Sequence, residues 1–273
     1  AGMCARFALV QQGNRAFLRN RARKLLVPST LGLFVLHWVT GYLNIRMGGA
    51  VEAEIAACED LALAGASEYV PEADSIGAAD VIIDFSHPNN TRAVCERAAR
   101  DGTALVLGTT GLGDAHRQYI AQAAQKAPVV HSANFSTGIA IFERLLAEMR
   151  GVSHLFDIEV VEAHHRYKQD APSGTAKLLL AAINPENERE RIYGRGGMGA
   201  RGNEIGVHSI RGGTVAGEHS VLFLGEDEVL EIRHSAASRR IFARGALTAA
   251  RFAAGKAPGL YSMQDVLWGG KDA

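Results

Sequence analysis

The chain has 273 residues and a mass of 29.1 kDa, enough for one large core or two modest ones at roughly 100–200 residues per domain. Twenty-nine Lys and Arg balance 29 Asp and Glu at a pI near 7.3, which excludes a broadly basic surface for nucleic acid or anionic membrane. With 47% hydrophobic and 21% charged residues, the composition is that of a folded globular protein and not of a disordered one.

The N-terminal stretch places Arg15, Arg19, Arg21, Arg23 and Lys24 ahead of the apolar run Leu25 to Val39. Pro28 and His37 interrupt that run, and it is shorter than the ~20 residues of a spanning helix. Neither a membrane span nor secretion is therefore expected. From Met47 to Ala57 the chain is rich in Ala and Glu and reads as a helix. Leu61 to Gly65 reads as a short buried strand, and Asp80 to Phe85 as a β-branched one. Then follow a helix from Asn90 to Arg100, a strand from Ala104 to Leu107, a turn from Gly108 to Gly111, a helix from His116 to Lys126 and a strand from Pro128 to His131. Apolar strands alternating with helices predict a parallel sheet covered on both faces. In such sheets ligands bind at the carboxyl ends of the strands. Those ends carry Ser86-His87-Pro88, Gly108-Thr109-Thr110 and Ala133-Asn134-Phe135. Three small, polar ends in register favour a nucleotide ligand over mere tight turns.

The second half reads differently. A helix from Ile139 to Arg150 leads to a strand from Asp157 to Glu162, then a polar loop and a helix from Ser173. The stretch Ala182 to Arg191 reads as a solvated loop. Glu204 to Ile210, Thr214 to Leu224 and Val229 to His234 alternate apolar and polar residues, as half-buried antiparallel strands do. Arg240 to Ala254 is an Ala-rich helix placed to return to the first domain. Cys4, Cys58 and Cys95 lie far apart, without a C-x-x-C pair, so neither a disulfide framework nor a thiolate metal site is expected, and the natural setting is cytoplasmic.

The densest polar stretch runs from Glu162 to Thr175, from a strand end to a helix start. Ser173 or Thr175 can cap that helix, leaving the Gly174 and Thr175 amides at its positive end, an arrangement that binds carboxylate or phosphate. Lys168 and His164 can supply protons. The adjacent His164 and His165 face opposite sides of an extended segment, and no third ligand stands at metal spacing. The competing bland reading is a solvated loop followed by an ordinary helix cap.

The motif Glu162-Ala-His-His-Arg-Tyr-Lys-Gln-Asp-Ala-Pro-Ser-Gly-Thr175 resembles the signature of the dihydrodipicolinate reductase family of lysine biosynthesis. The likeness extends to Asp84-Phe-Ser-His-Pro, Gly108-Thr-Thr-Gly, Ser132-Ala-Asn-Phe-Ser136, the block Arg211 to His219, Ala237-Ser-Arg239 and the tail Gly255 to Leu267, over roughly residues 45 to 267. The resemblance implies an α/β fold with a Rossmann-like dinucleotide-binding domain, expected at 1–135 and 240–273. A mixed-sheet α/β substrate and oligomerisation domain is expected at 136–239. It implies reduction of a cyclic unsaturated dicarboxylate by NADH or NADPH in a homotetramer, with neither nucleic acid nor membrane as partner. By the same resemblance His164 and Lys168 are the catalytic pair, with His165, Gly174 and Thr175 on the substrate. Arg46, Met47, Glu68, Gly108, Thr109, Thr110, Ser132, Ala133, Asn134 and Phe135 contact the cofactor. Glu68 matches the ribose-binding acid. Tyr69 beside it stands where an arginine would favour the NADPH phosphate, which favours NADH.

The sequence departs from the family before residue 45. A first strand and a loop of the form G-x-x-G-R-M-G are expected, whose glycines let the backbone approach the pyrophosphate. Only Arg46-Met47-Gly48 of that loop is present, and Tyr42 and Ile45 occupy glycine positions. Leu33 to Val39 is the candidate first strand, and residues 1–44 read as the product of a shifted frame or misplaced start. The alternative function is a catalytically silent scaffold that cannot hold dinucleotide.

Overall fold

The computed structural model describes residues 6–11, 47–67 and 79–269. The chain divides into two compact units. The first takes the described residues up to His131 together with Ala246–Tyr261, and the second takes Ser132–Gly245 and the residues from Ser262 onward.

The first unit is built on a six-stranded sheet in the order β11-β5-β4-β3-β1-β2. Its strands are β1 (Arg6–Gln11), β2 (Leu61–Ser67), β3 (Val81–Asp84), β4 (Ala104–Leu107), β5 (Pro128–His131) and β11 (Gly259–Tyr261). Strands β3, β4, β5 and β11 run parallel. All four residues of β3 and of β4 are buried, as continuous apolar runs in a parallel sheet must be. Helix α1 (Met47–Ala56) precedes β2, while α2 (Pro88–Asp101) and α3 (Asp114–Ala124) join β3 to β4 and β4 to β5. Val94, Cys95 and Ala98 of α2 and Ile120 and Ala123 of α3 pack against Ile82, Leu105, Leu107 and Val129 of the sheet. Helix α2 starts where it does because Pro88 occupies its first turn and the His87 ring accepts from the Asn89 amide at 3.2 Å. It stops at Gly102, which takes a left-handed φ of 66°.

The sequence did not foretell β1. It pairs antiparallel with both β2 and β3, in the middle of a sheet expected to be parallel throughout. The candidate strand Leu33 to Val39 lies outside the described residues, as do Tyr42 and Ile45.

The second unit holds a five-stranded sheet in the order β10-β9-β6-β8-β7. Its strands are β6 (Asp157–His164), β7 (Glu190–Tyr193), β8 (Glu204–Arg211), β9 (Glu218–Leu224) and β10 (Val229–Ser235). Helices α4 (Thr137–Met149) and α5 (Gly174–Ile183) cover one face, where Ile139, Phe142, Leu146, Leu179 and Leu180 meet Ile158, Val160, Ile205, Val221 and Phe223. Burial alternates strictly along β6, so Ile158, Val160, Glu162 and His164 share the helix-covered face. Asp157, Glu159, Val161 and Ala163 point the other way and are half-buried or exposed.

Three expectations need correction here. Strand β8 runs parallel to both β6 and β7, not antiparallel, because alternation reports two unlike faces and not strand direction. Residues 212–217 form a turn, and the strand expected from Thr214 begins only at Glu218. The stretch Ala182 to Arg191 is not simply solvated. Arg189 donates to the carbonyls of Ser153 and Phe156 at 3.2–3.3 Å, Asn184 donates to the Arg189 carbonyl at 2.9 Å, and Arg191 lies in β7.

Helix α6 (Arg240–Ala253) carries the chain from the second unit back into the first. Ala243, Ala246, Leu247, Ala250 and Ala253 are buried along it at helical spacing. Its Gly245 is required by close approach: a Cβ there would stand 1.6 Å from the Phe135 carbonyl oxygen. Residues 262–268 end the second unit with the short helix α7 (Met263–Trp268). Among the described residues no helix is long and apolar enough to cross a membrane, and no group of side chains could hold a metal ion.

Candidate active site

In the second unit the polar stretch Glu162 to Thr175 forms around one buried carboxylate. Two residues apart on a strand, Glu162 and His164 face the same way, and Glu162 Oε2 lies 2.6 Å from His164 Nδ1. Arg211, paired with His164 across β6 and β8, donates from Nη2 to Glu162 Oε1 at 2.7 Å and from Nη1 to Oε2 at 2.8 Å. The Ser173 amide donates to Oε1 at 3.1 Å. Burial alone would raise the Glu162 carboxyl, but hydrogen bonds from His164, Arg211 and Ser209 outweigh it and hold the group ionised, well below the usual carboxylate range.

His219 of β9 stands opposite Glu162 in register. Its Nε2 lies 3.1 Å from Ser173 Oγ, and its ring meets that of His164 edge-on at 5.1 Å. Burial, and then repulsion from His164, push His219 down to about 4, so it is neutral at physiological pH. A Cβ at Gly217 would approach His164 Nε2 to 3.1 Å, so the ring would have to give by a few tenths of an ångström to admit one.

After His164 the chain turns, with the Arg166 amide on the Gly213 carbonyl at 3.3 Å and the Lys168 amide on the His165 carbonyl at 3.1 Å. Lys168 is half-buried, and its Nζ pairs with Asp170 Oδ1 at 2.8 Å. His165, the first residue past β6, is half-buried. Its Nδ1 is buried without a protein partner, and desolvation together with the charge of Arg239 lowers its pKa. The Ala171–Pro172 peptide is cis.

Ser173 is the cap of α5, accepting from the Ala176 amide at 3.1 Å. The first two amides of the helix, those of Gly174 and Thr175, have no intrahelical acceptor by geometry and point out of its positive end. Gly174 is exposed and Thr175 half-buried. Asn134 Nδ2 donates to Thr175 Oγ1 at 2.9 Å, which brings together two of the expected site residues. Asn134 is itself fixed by Ser132, whose hydroxyl donates to the Asn134 carbonyl at 2.7 Å, while Asn134 Oδ1 accepts from the Ser136 amide at 2.8 Å. Ala133 is exposed and Phe135 only 1% accessible.

In the first unit the ends of β3 and β4 form a compact turn pair. The Gly108 amide donates to the Asp84 carbonyl at 2.8 Å, and Thr109 Oγ1 donates to Asp84 Oδ2 at 3.1 Å. A Cβ at Gly108 would stand 2.2 Å from Phe85 Cε1. Thr109 is 2% accessible and spends its hydroxyl on Asp84, leaving only its backbone for a ligand, whereas Thr110 is exposed. Ser86 Oγ is buried with no protein partner. An unsatisfied hydroxyl and the exposed Thr110 stand at carboxyl strand ends, the edge of a parallel sheet where ligands bind. Met47 opens α1, half-buried. Arg46 and Glu68 lie outside the described residues.

Glu162, Ser173, Arg211, His219 and Arg239 all stand within the motifs above, yet only Ser173 has a duty legible in the sequence, that of helix cap. The two-residue spacing of Glu162 and His164 was a usable signal. Arg211 and His219 become neighbours of that pair only through strand register, which spacing does not disclose.

The sequence matches the family models described as "Dihydrodipicolinate reductase, N-terminus" over residues 39–135 and "Dihydrodipicolinate reductase, C-terminus" over residues 138–267. A 4-hydroxy-tetrahydrodipicolinate reductase of Methanoculleus marisnigri is 49% identical over 190 residues, covering 69% of this chain and 75% of that protein. One from Methanoregula boonei is 43% identical over 239 residues, covering 81% and 94%. Among solved structures, the dipicolinate-bound dihydrodipicolinate reductase of Paenisporosarcina sp. TG-14 superposes with a TM-score of 0.58 at 23% identity, over 70% of this chain and 74% of that one. That likeness supports the fold.

Proposed function

The chain belongs to the dihydrodipicolinate reductase family, and on that premise we propose that it is a 4-hydroxy-tetrahydrodipicolinate reductase, an NAD(P)H-dependent oxidoreductase of lysine and diaminopimelate biosynthesis. The observation that carries the reading is the clustering, in one unit, of Lys168 and of His164 on its ionised Glu162 with the open helix start at Gly174 and Thr175.

The substrate is a cyclic unsaturated dicarboxylate. One carboxylate takes the Gly174 and Thr175 amides and the Thr175 hydroxyl, where the helix dipole favours negative charge. His165, with its unpaired buried Nδ1 and Arg239 close by, is assigned to the substrate as well. When bound, the nicotinamide supplies hydride to the ring. His164 and Lys168 handle the accompanying proton. Glu162 accepts the Nδ1 proton of His164 and so fixes the tautomer and orientation of the ring, leaving Nε2 for exchange. The Lys168 ammonium supplies both a proton and a positive field for the charge that develops on the reacting ring.

Gly108, Thr109, Thr110 and Ser86 in the first unit, with Ser132 to Phe135 after β5, are assigned to the dinucleotide. Met47, Arg46 and Glu68 complete the assignment from the family pattern. Tyr69 after Glu68 favours NADH over NADPH. The sheet face bearing Val161, with exposed Ile210 and Val229, supports a homotetramer built through the second unit. A cytoplasmic location follows from the biosynthetic role. The silent-scaffold alternative turns on Tyr42 and Ile45, and no observation favours it.

The test is a reductase assay with freshly prepared cyclic substrate, NADH against NADPH, on the chain and its Lys168→Ala variant. Turnover with either cofactor that collapses in the variant is expected. Equal rates in the two proteins would remove Lys168 from its role, and no turnover with either cofactor would return the silent scaffold.

A further inference from the structure

We propose that Arg211 is the positioning residue that holds both proton-handling side chains, His164 and Lys168, in one arrangement. The inference rests on the preceding reading of the site and adds a residue that the reading does not require.

The guanidinium makes four short contacts from its two terminal nitrogens. Two go to Glu162, at 2.7 and 2.8 Å, one to the Asp170 carbonyl at 2.6 Å and one to the Ile210 carbonyl at 2.7 Å. Glu162 is fully buried and is itself the acceptor for His164 Nδ1 at 2.6 Å and for the Ser173 amide at 3.1 Å. Asp170, fixed by its carbonyl, turns its carboxylate on to Lys168 Nζ at 2.8 Å. One side chain at the end of β8 therefore grips the strand end that carries His164 and the loop that carries Lys168.

The remaining charged and titratable groups at the cluster are neutral His219 from β9, His234 of β10 acting on it, His165 on the turn and Arg239 beside it. A lysine at 211 would keep the charge opposite Glu162, but it lacks the planar fork that reaches two carboxylate oxygens and a carbonyl together. Loss of the charge altogether leaves the buried Glu162 carboxylate with no guanidinium opposite it, held by the His164 ring and the Ser173 and Ser209 donors.

Charge and geometry thus separate in two variants, Arg211→Lys and Arg211→Gln. Both are expected to lose kcat on the order of 10–100-fold, since small misplacements of reacting groups cost that much. The dissociation constant of dipicolinate, used as a planar dicarboxylate probe, is expected to move by less than about threefold, because the helix-start amides still hold it. The acid limb of the kcat profile is expected to move to higher pH in Arg211→Gln and to return to the wild-type position in Arg211→Lys. Proton NMR supplies a readout that needs no turnover, the downfield Nδ1 proton of His164, kept in Arg211→Lys and shifted in Arg211→Gln.

Wild-type kcat in Arg211→Lys overturns the proposal. So does an identical pH profile in all three proteins accompanied only by a lower Tm, which is what a merely structural role would give. Should Arg211→Gln fail to fold, Arg211→Lys alone decides, through its kcat and its Tm. A wild-type chain that turns nothing over would overturn the reductase reading, and the NMR signal would still judge Arg211: altered in the glutamine variant it supports the proposal, unchanged in both it overturns it.

Discussion

Glu162 Oε2 and His164 Nδ1 stand 2.6 Å apart on the buried face of one strand, with the Arg211 guanidinium closing the other side of the carboxylate. An ionised carboxylate behind an imidazole fixes which ring nitrogen carries the proton and where the other one points. The proposed reaction asks for that control beside a dicarboxylate whose own charge would otherwise disturb the ring.

Removing Lys168 tests the proton supply. Lys168→Ala should lower kcat by on the order of 10²–10⁴-fold, the range for a positioned proton donor, with a much smaller change in KM. Steady-state rates across substrate concentrations separate the two. A change confined to KM would recast Lys168 as a binding residue.

Glu162 makes acid stability predictable. Its pKa in the folded chain lies below the ordinary 4.5, so the unfolded state binds the proton more readily. The stabilisation is present above about 4.5 and is lost as pH falls below it toward the folded value. Glu162→Gln should cost roughly 1–3 kcal/mol at neutral pH, because the half-buried Arg211 then loses its counter-charge and its two-oxygen pairing with the buried carboxylate. Urea unfolding at pH 7 and pH 4 checks both points, and the variant should lose less on acidification than the parent.

His219 acts in a higher window. Its value falls from 6.5 to about 4 on folding, so between those values the unfolded chain takes up a proton that the folded chain refuses. Stability is full above about 6.5 and declines as pH drops toward 4, by on the order of 3 kcal/mol. His219→Gln keeps a partner for Ser173 and removes the titration. A Tm that still falls equally between pH 7 and pH 5 in the variant would assign the decline to other groups.

Gly245→Ala should be disruptive although the change is one methyl. The new Cβ would sit 1.6 Å from the Phe135 carbonyl oxygen, a backbone atom next to Asn134 that cannot rotate away. A loss of about 1–3 kcal/mol is expected, read as a fall of several degrees in Tm, together with weaker dinucleotide binding if residues 132–135 contact it.

Gly108→Ala probes the proposed cofactor end alone. The methyl would meet Phe85 Cε1 at 2.2 Å, forcing the ring out of the β3–β4 turn pair. NADH binding, followed by nucleotide fluorescence, should weaken about tenfold, the equivalent of about 1.4 kcal/mol. Dipicolinate affinity measured by calorimetry should not change, and a matching loss there would mean general unfolding.

The amino-acid sequence by itself determined most of the elements from Met47 onward, though not β7, β11 or α7, because buried parallel strands are short apolar runs and capped helices carry their own punctuation. Val81 to Asp84, Ala104 to Leu107, Pro128 to His131 and the Ser173 cap could all be read that way, and so could the chemistry of the Glu162 to Thr175 stretch. Strand direction was not readable: alternation along Glu204 to Arg211 is the same whether the neighbour runs up or down, and β8 proved parallel. Only the tertiary structure decided that Arg211 and His219, 49 and 57 positions beyond Glu162 in the chain, flank its carboxylate. Register between strands is set by the packing of whole faces, and no local property of any one of these residues records it.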